Sequence, residues 1–291
     1  MNPQPTQGIV VQAGLSETDH ERVEHLVALC NAHEGLNVRV TTDVPSGGAA
    51  YAPRQFVARR DGQIVGFASL DGDTDCEASG LVHPEHRRVG VGRRLVEAVA
   101  QAWKDGGGQT LLLVSEDASE SGKAFLARIG AEYRFAEHLM ELDVEAARHQ
   151  MTGVGTLELR RADVTDASTI AQLASTSHGD DVVLARERVE RHMRELGFTY
   201  YIGSVQGEPI GSLRVERIDG IDYIYAFAVL PQARGRGYGR QILEGVIREI
   251  LASEQPRLRI EVQTDNRNAL GLYQSVGFKE IVTYRYYEYL G

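Results

Sequence analysis

The sequence predicts an α/β protein of two tandem domains, each with a mixed central sheet flanked by helices. The chain has 291 residues, which is long for one domain and sufficient for two. A pattern of residues recurs at a constant offset of 147 positions, as from Arg87 to Arg234. Within each half, segments typical of strands alternate with segments of helical periodicity.

The repeat is clearest in residues 82–93 and 229–240, where one valine, one proline, two arginines and two glycines coincide. The same offset carries Gly130 onto Gly277 without a gap. A match in register over this length indicates a duplicated domain. We assign residues 1–148 to an N-terminal domain and 156–291 to a C-terminal domain, because the stretch between them has glycines and no apolar periodicity.

The elements of the first copy follow from local signals. Ser16 or Thr18 is a plausible N-cap for a helix whose apolar residues recur at helical spacing. Asp61-Gly62 predicts a hairpin. The predicted order is a strand over 9–12, that helix, hairpin strands over 56–59 and 64–70, a strand ending at Val82, a helix over about 91–104, a strand over 110–114, a short helix and a strand ending near Leu142.

The second copy repeats this order, with Gln206-Gly207 as its hairpin turn. Its predicted elements are a strand over 157–160, a helical region over 165–196, hairpin strands over 200–205 and 209–217, a strand over 222–229, a helix following the glycine loop to about 252, a strand over 258–263, a short helix over 266–276 and a last strand over 282–289.

Composition excludes several classes of function. The net charge of −10 disfavours a nucleic-acid partner, because phosphate contacts require a basic surface. Cys30 and Cys76 form no disulfide framework or metal-ligand pattern, so we expect two buried thiols and no metal. The N-terminal residues lack a signal-peptide pattern, and the apolar runs are too short to span a bilayer. We therefore expect a cytoplasmic protein without a membrane partner.

Residues 234–239, Arg-Gly-Arg-Gly-Tyr-Gly, lie between a predicted strand and a predicted helix. There, backbone N–H groups and the helix dipole attract an anion, and glycines allow a close approach. The spacing is neither that of a P-loop nor that of a dinucleotide site. A glycine-rich turn alone is a weak signal, but this one follows a strand in both copies and predicts a phosphate cradle.

Both loops resemble the Arg/Gln-x-x-Gly-x-Gly/Ala signature of the GNAT superfamily of N-acyltransferases. Residues 266–278 also resemble the family's Asn-x-x-Ala-x-x-Leu-Tyr-x-x-x-Gly-Phe motif. The resemblance covers nearly the whole chain. It implies that acetyl-CoA binds with its pyrophosphate on the loop and its pantetheine arm along the preceding strand. The implied binding residues are Phe227, Ala228, Val229, Arg234, Gly235, Arg236, Gly237, Tyr238, Gly239, Arg240 and Asn266, and in the first copy Val82, Arg87, Arg88, Gly90, Val91, Gly92 and Arg93.

The resemblance places Tyr273 near the thioester sulfur. Attack by an amine expels a thiolate, and a tyrosine hydroxyl can protonate it. The alternative is an aromatic ring that only packs on the sheet. The first copy has Leu126 at this position, which cannot donate a proton. The N-terminal domain is therefore expected not to use the same acid, and whether it binds CoA or only supports its partner stays open.

The general base has no sharp signature. We place Asp222, at the start of the strand before the loop, in this role, with Glu216, Tyr223, Tyr225 and an ordered water as alternatives. The expected function is direct acetyl transfer from acetyl-CoA to a primary amine of a small molecule or peptide. Two alternatives remain: a non-catalytic acyl-CoA-binding module, and an acyltransferase that uses a longer acyl-CoA.

Overall fold

The computed structural model describes residues 9–12, 15–42, 54–72, 75–151, 155–195 and 197–291. Residues 1–7, part of the predicted boundary at 150–156, and Leu196 at the end of the predicted helical region lie outside the described residues. Each half of the chain has a mixed sheet with helices, so the predicted fold class is confirmed.

The first half follows the predicted order. Ser16 caps its first helix by accepting a hydrogen bond from the Asp19 N–H, and Gly35 ends that helix in the left-handed region. Its elements are β1 (Ile9–Gln12), α1 (Glu17–Glu34), β2 (Arg54–Arg60), β3 (Gln63–Gly72), β4 (Asp75–Val82), α2 (Val91–Asp105), β5 (Thr110–Glu116), α3 (Glu120–Arg128), β6 (Glu132–Leu142) and α4 (Val144–Gln150).

The second half differs from the prediction in its helical region, which forms two helices. Gly179, at φ 84°, ends the first of them, and Asp181 caps the second through the N–H groups of Val183 and Leu184. The elements are β7 (Glu158–Arg161), α5 (Ala167–His178), α6 (Val182–His192), β8 (Phe198–Val205), β9 (Glu208–Ile218), β10 (Ile221–Val229), α7 (Tyr238–Ile250), β11 (Leu258–Gln263), α8 (Arg267–Ser275) and β12 (Phe278–Glu288).

Two compact units divide the chain differently from the boundary proposed from the sequence. Unit 1 holds residues 1–136 and 282–291, and unit 2 holds 137–281. The strand order is β1-β2-β3-β4-β5-β12 in unit 1 and β6-β11-β10-β9-β8-β7 in unit 2. β12 pairs with β5 and β6 pairs with β11, both antiparallel. Each unit therefore takes the second half of its last strand from the other sequence copy, residues 282–288 of β12 in unit 1 and residues 137–142 of β6 in unit 2.

Each unit has its own apolar core. In unit 2 the core lies between the sheet and α7 and α8, and it includes Leu213, Ile224, Ile242 and Tyr273. In unit 1 the corresponding core lies under α2 and α3. Both cysteines are free and buried, as predicted. Among the residues that the structure describes, no helix is long and apolar enough to cross a membrane, and no group of side chains has the makings of a metal site.

Candidate active sites

The central parallel strands of each unit separate at one end. β10 and β11 pair only over residues 222–224 of β10, although β10 continues to Val229. β4 and β5 pair only over residues 75–78 of β4, although β4 continues to Val82. The unpaired ends leave a gap whose backbone N–H and C=O groups are available to an extended ligand. In both units this gap opens beside the glycine loop.

The C-terminal loop leads directly into α7. Gly235 and Gly237 have φ of 72° and 81°, in the left-handed region that favours glycine. No side chain among the described residues caps α7, so the N–H groups of its first turn are free to meet an anion. Arg234 fixes the loop: its Nε donates to the Val229 carbonyl at 2.9 Å and its Nη2 to the Ser177 carbonyl at 3.2 Å.

The N-terminal loop has the same construction. Arg88 and Gly90 have φ of 63° and 95°, and in the described part of the chain no side chain caps α2. Arg87 Nε donates to the Val82 carbonyl at 3.0 Å, and its Nη2 pairs with Glu34 at 2.9 Å. The signature arginine thus has one shared contact in both copies, which holds the loop against the end of the preceding strand.

Two residues expected at the cofactor also have structural contacts. Arg240 pairs with the buried Glu244 at 2.7 Å and donates to the Ser275 hydroxyl and the Gln150 carbonyl. Asn266 caps α8, its Oδ1 accepting from the Ala269 N–H at 3.2 Å. These contacts position α7 and α8, and contact with CoA stays a prediction for both residues.

A β-bulge in β10 distinguishes the two copies. The register between β9 and β10 shifts between Tyr225 and Ala228, so Ala226 and Phe227 together lie opposite Leu213. Ala226 has φ of 48°, an uncommon value for a residue with a side chain. β4 pairs with β3 in unbroken register from Cys76 to Val82. The bulge adds one residue to β10 at the open end of the strand gap.

Tyr273 lies on α8 within the unit 2 core and is 7% exposed. Its ring meets Phe278 edge-on at 6.1 Å between centroids. Burial raises the pKa of Tyr273 to about 12, so the hydroxyl is protonated at neutral pH. Among the described residues none hydrogen-bonds this hydroxyl, so it is free to donate. Leu126, its counterpart on α3, is buried at 5% exposure and apolar.

Two carboxylates considered as the general base lie on opposite faces of the sheet. Asp222 is buried, pairs with Arg217 at 3.2 Å, and shares the α7-covered face with Ile224. Glu216 lies directly opposite Tyr223, on the other face. Burial raises the pKa of both carboxyl groups. Only Glu216 lies on the same face as Tyr225, the residue next to the bulge.

A cluster of polar and aromatic side chains covers this face of unit 2, and of its members only Glu216 and Tyr225 were named from the sequence. Arg214 lies over the Tyr225 ring at 4.8 Å and the Phe198 ring at 5.5 Å, and pairs with Glu216 at 3.2 Å. Its Nη1 is 3.1 Å from His192 Nδ1. Arginine can only donate, so Nδ1 accepts and the imidazole is neutral. Burial, with the Arg214 charge, lowers the pKa of His192 to about 4.

The equivalent face of unit 1 is covered by the chain itself. Residues 36–42, which follow α1, hydrogen-bond to side chains of β3 and β5 on this face. Asn37 donates its N–H to Glu116 at 2.5 Å and accepts from the Tyr284 hydroxyl at 2.8 Å. Thr41 donates its hydroxyl to Asp71 at 2.9 Å. Residues 36–42 therefore cover this face of the unit 1 sheet.

Unit 1 also contains a cavity of about 540 Å³ that passes through the gap between β4 and β5. Its mouth is at the loop, where four arginines line it, and its far side reaches Cys30, Val38 and Tyr284. Tyr284 comes from β12, so a residue from the last strand of the second copy lines this cavity. The arginines at the mouth are Arg87, Arg88, Arg93 and Arg128.

Comparisons with known proteins agree with this architecture. Residues 167–278 match the Acetyltransferase (GNAT) family, and residues 52–130 match an Acetyltransferase (GNAT) domain. A mycothiol acetyltransferase of Kineococcus radiotolerans is 26% identical over 97% of both chains. Another, of Saccharopolyspora erythraea, is 25% identical over 88% of this chain and 91% of its own.

Two solved structures share the fold over nearly the full length. A GCN5-related N-acetyltransferase from Sphaerobacter thermophilus superposes with a TM-score of 0.75 at 17% identity, covering 96% of this chain and 95% of its own. A tandem GNAT protein from the clavulanic acid biosynthesis pathway superposes with a TM-score of 0.67 at 18% identity, covering 97% and 98%. The tandem arrangement is therefore shared with proteins of distant sequence.

Proposed function

The chain is an acyltransferase of the GNAT family with one family domain in each half, and from this we propose that its C-terminal domain transfers an acetyl group from acetyl-CoA to a primary amine. Acetyl-CoA is the co-substrate of this family. The loop before α7 suits its pyrophosphate, since free N–H groups and left-handed glycines meet there. The gap between β10 and β11 suits the pantetheine arm.

The observation that carries the proposal is the bulge in β10. A bulge leaves backbone groups of its extra residue outside the ladder. Here those groups lie at Ala226 and Phe227, beside the strand gap and before the loop. Backbone N–H groups held in this way stabilise the negative charge that develops on a thioester carbonyl oxygen during attack. β4, whose ladder is continuous, offers no such groups.

The remaining side chains account for the protons. The amine nitrogen forms a bond to the acetyl carbon, the carbon–sulfur bond breaks, and one proton must leave nitrogen while one reaches sulfur. Tyr273 supplies the proton to sulfur, because a tyrosine hydroxyl is protonated at neutral pH and burial raises the pKa of this one further, to about 12. For the base we propose Glu216, directly or through a water, ahead of Asp222, because only Glu216 lies on the face that carries Tyr225.

The acceptor is proposed to be a primary amine of a small molecule. The polar and aromatic cluster around Arg214 covers the face from which an amine would approach. Acceptors related to mycothiol are the first to test, since relatives over most of the chain are mycothiol acetyltransferases. An intact C-terminal copy after an altered N-terminal one also resembles mycothiol synthase. Tyr223 stands where that enzyme has an acidic residue, so the acceptor itself is left to the experiment.

For the N-terminal domain we propose acyl-CoA binding without transfer. The loop, the strand gap and the arginines at the cavity mouth are present. Three parts needed for transfer are different: β4 has no bulge, Leu126 replaces the tyrosine, and residues 36–42 cover the acceptor face. The N-terminal domain thus keeps the features suited to binding an acyl-CoA and lacks the three features needed for transfer.

The test is thiol release from acetyl-CoA over a panel of primary amines, with Tyr273→Phe beside the unaltered chain. We expect turnover on one class of amine and a fall in kcat of about 100-fold in the variant, the usual range for a lost general acid. Tyr284→Phe is the matched control, since it removes a hydroxyl from the unit 1 cavity. A fall in kcat for Tyr284→Phe and none for Tyr273→Phe would move catalysis to the N-terminal domain.

A further inference from the structure

The part of the unit 1 cavity that borders α2 and α3 is apolar. Six of the side chains that line it there are apolar and buried, at 1% to 5% exposure, while the lining elsewhere includes the polar Ser79, Ser115 and Glu116. The apolar part favours an apolar ligand group over water. The six side chains are Ala68, Ala78, Leu95, Val99, Leu113 and Leu126.

The same six positions carry side chains of equal or larger size in unit 2. Leu113 pairs with Ala78 in β4, and its counterpart Ile260 pairs with Ile224 in β10. Ala78 therefore corresponds to Ile224. Ala68 lies opposite Gly80 in β4 and corresponds to Leu213, opposite the bulge. Like the six side chains of unit 1, the unit 2 counterparts belong to the apolar core of their unit: Leu213, Ile224, Ile242, Val246, Ile260 and Tyr273.

Three of the six positions have smaller side chains in unit 1 than in unit 2. Where unit 2 has leucine, isoleucine and tyrosine, unit 1 has Ala68, Ala78 and Leu126. At the density of a protein interior, the missing side-chain atoms, about ten, leave room for a chain of about six carbons. The larger Phe125, in place of Leu272, lies beside Gly92 near the mouth rather than in the deep part. The space is thus added where the acyl end of a bound CoA ester would lie.

We propose that the N-terminal domain binds an acyl-CoA whose unbranched, apolar acyl chain is longer than acetyl, with about six carbons. This rests on the proposed binding of CoA esters at the N-terminal loop. The arginines hold the phosphates and the strand gap holds the pantetheine arm. The acyl chain enters the space bordered by Ala68, Ala78 and Leu126, where each buried methylene strengthens binding. The two domains would then differ in donor as well as in catalysis.

The test is calorimetric titration of the full chain with CoA, acetyl-CoA and hexanoyl-CoA. We expect one site that binds hexanoyl-CoA at least about tenfold more tightly than acetyl-CoA, from the burial of four further methylenes. Equal affinities for the two esters at two sites would overturn the chain-length inference and leave N-terminal CoA binding intact. A single site for every ligand, lost in Gly237→Val, would overturn N-terminal binding itself.

The site is located by refilling the cavity. Ala68→Leu with Ala78→Ile installs the unit 2 residues and should abolish the preference for hexanoyl-CoA; the single variant Ala78→Val should weaken it. Ile224→Val, at the matched position of unit 2, should leave the preference unchanged. Because the space is open, the refilled chain should unfold at a temperature no lower than the original. A preference that survives refilling, or a marked loss of stability, would contradict the proposal.

Discussion

Tyr273 and Leu126 occupy equivalent positions in the two copies and have opposite chemical character. The motif over residues 266–278 identifies Tyr273, and the offset of 147 identifies Leu126 as its counterpart. The family resemblance predicts that Tyr273 is a proton donor. Neither predicts the burial that raises the pKa of Tyr273 to about 12, because burial depends on the packing of α8 against Phe278 and its neighbours. The acid can therefore be predicted from sequence, whereas the upward shift of its pKa depends on the fold.

The base is harder to predict from sequence than the acid. Asp222 and Glu216 are both acidic residues near the start of β10 or the end of β9, with no motif around them. Their difference lies in the sheet face, which depends on strand register. Asp222 faces the α7 side and Glu216 the side of the Arg214 cluster. A one-residue error in the register of β10 would place Asp222 on the same face as Glu216.

His192 is predicted to make stability depend on pH. Burial and the charges of Arg214, Arg191 and Arg188 lower its pKa to about 4, against 6.5 in an unfolded chain. Between these values the unfolded chain binds more protons than the folded one, so stability falls as pH falls from about 6.5 to about 4. The free energy of unfolding, measured by urea denaturation at pH 7 and pH 5, should fall less in His192→Gln than in the unaltered chain.

The control for this prediction is His178→Gln, which replaces an exposed histidine at the end of α5. That change should leave the pH dependence as it was. Glutamine at position 192 retains an acceptor for Arg214 and does not titrate in this range. An unchanged slope between pH 7 and pH 5 in His192→Gln would contradict the neutral, buried state of this imidazole.

The bulge is a feature of β10 that sequence comparison of the two copies hides. From Val82 onward the copies match at an offset of 147. Before the bulge, equivalent residues of β4 and β10 are 146 positions apart. Cys76 pairs with Leu111, and Asp222 pairs with Leu258, the residue 147 positions after Leu111, so Cys76 and Asp222 are equivalent. One extra residue in a strand leaves no mark in composition or motif. The strands were predictable from their alternation, and the bulge depends on how β10 pairs with β9.

Deleting Ala226 should convert β10 to the continuous ladder seen in β4. We expect the chain to fold and to bind acetyl-CoA within a few-fold of its original affinity, because the loop is unchanged. The rate of transfer should fall by about 100-fold or more, the usual effect of losing one oxyanion donor. Assays of thiol release measure the rate of transfer, and calorimetric titration with acetyl-CoA measures its affinity.

Ala226→Gly is the control for the deletion, because glycine adopts the φ of 48° at this position without steric cost. It keeps the bulge and should keep kcat within a few-fold. If the deletion variant binds acetyl-CoA and also retains its kcat, the bulge has no part in the transfer step.

At the scale of the whole molecule, the duplication was visible in the sequence and the exchange of last strands was not. Two copies of one fold carry equivalent final strands, and the pattern of apolar residues in β6 and β12 is compatible with pairing in either unit. The partner of each strand is a long-range choice that local sequence does not encode. Its consequence is that Tyr284, near the end of the chain, belongs to the N-terminal unit.

Acetyl transfer by the C-terminal domain can be tested by measuring kcat for thiol release in two matched loop variants, Gly237→Val and Gly90→Val. Both glycines have positive φ, and an added Cβ meets nothing within 4 Å at either, so the backbone strain of the two changes is comparable. We predict a loss of at least about 100-fold for Gly237→Val and a much smaller loss for Gly90→Val. A larger loss for Gly90→Val would contradict the assignment of acetyl transfer to the C-terminal domain.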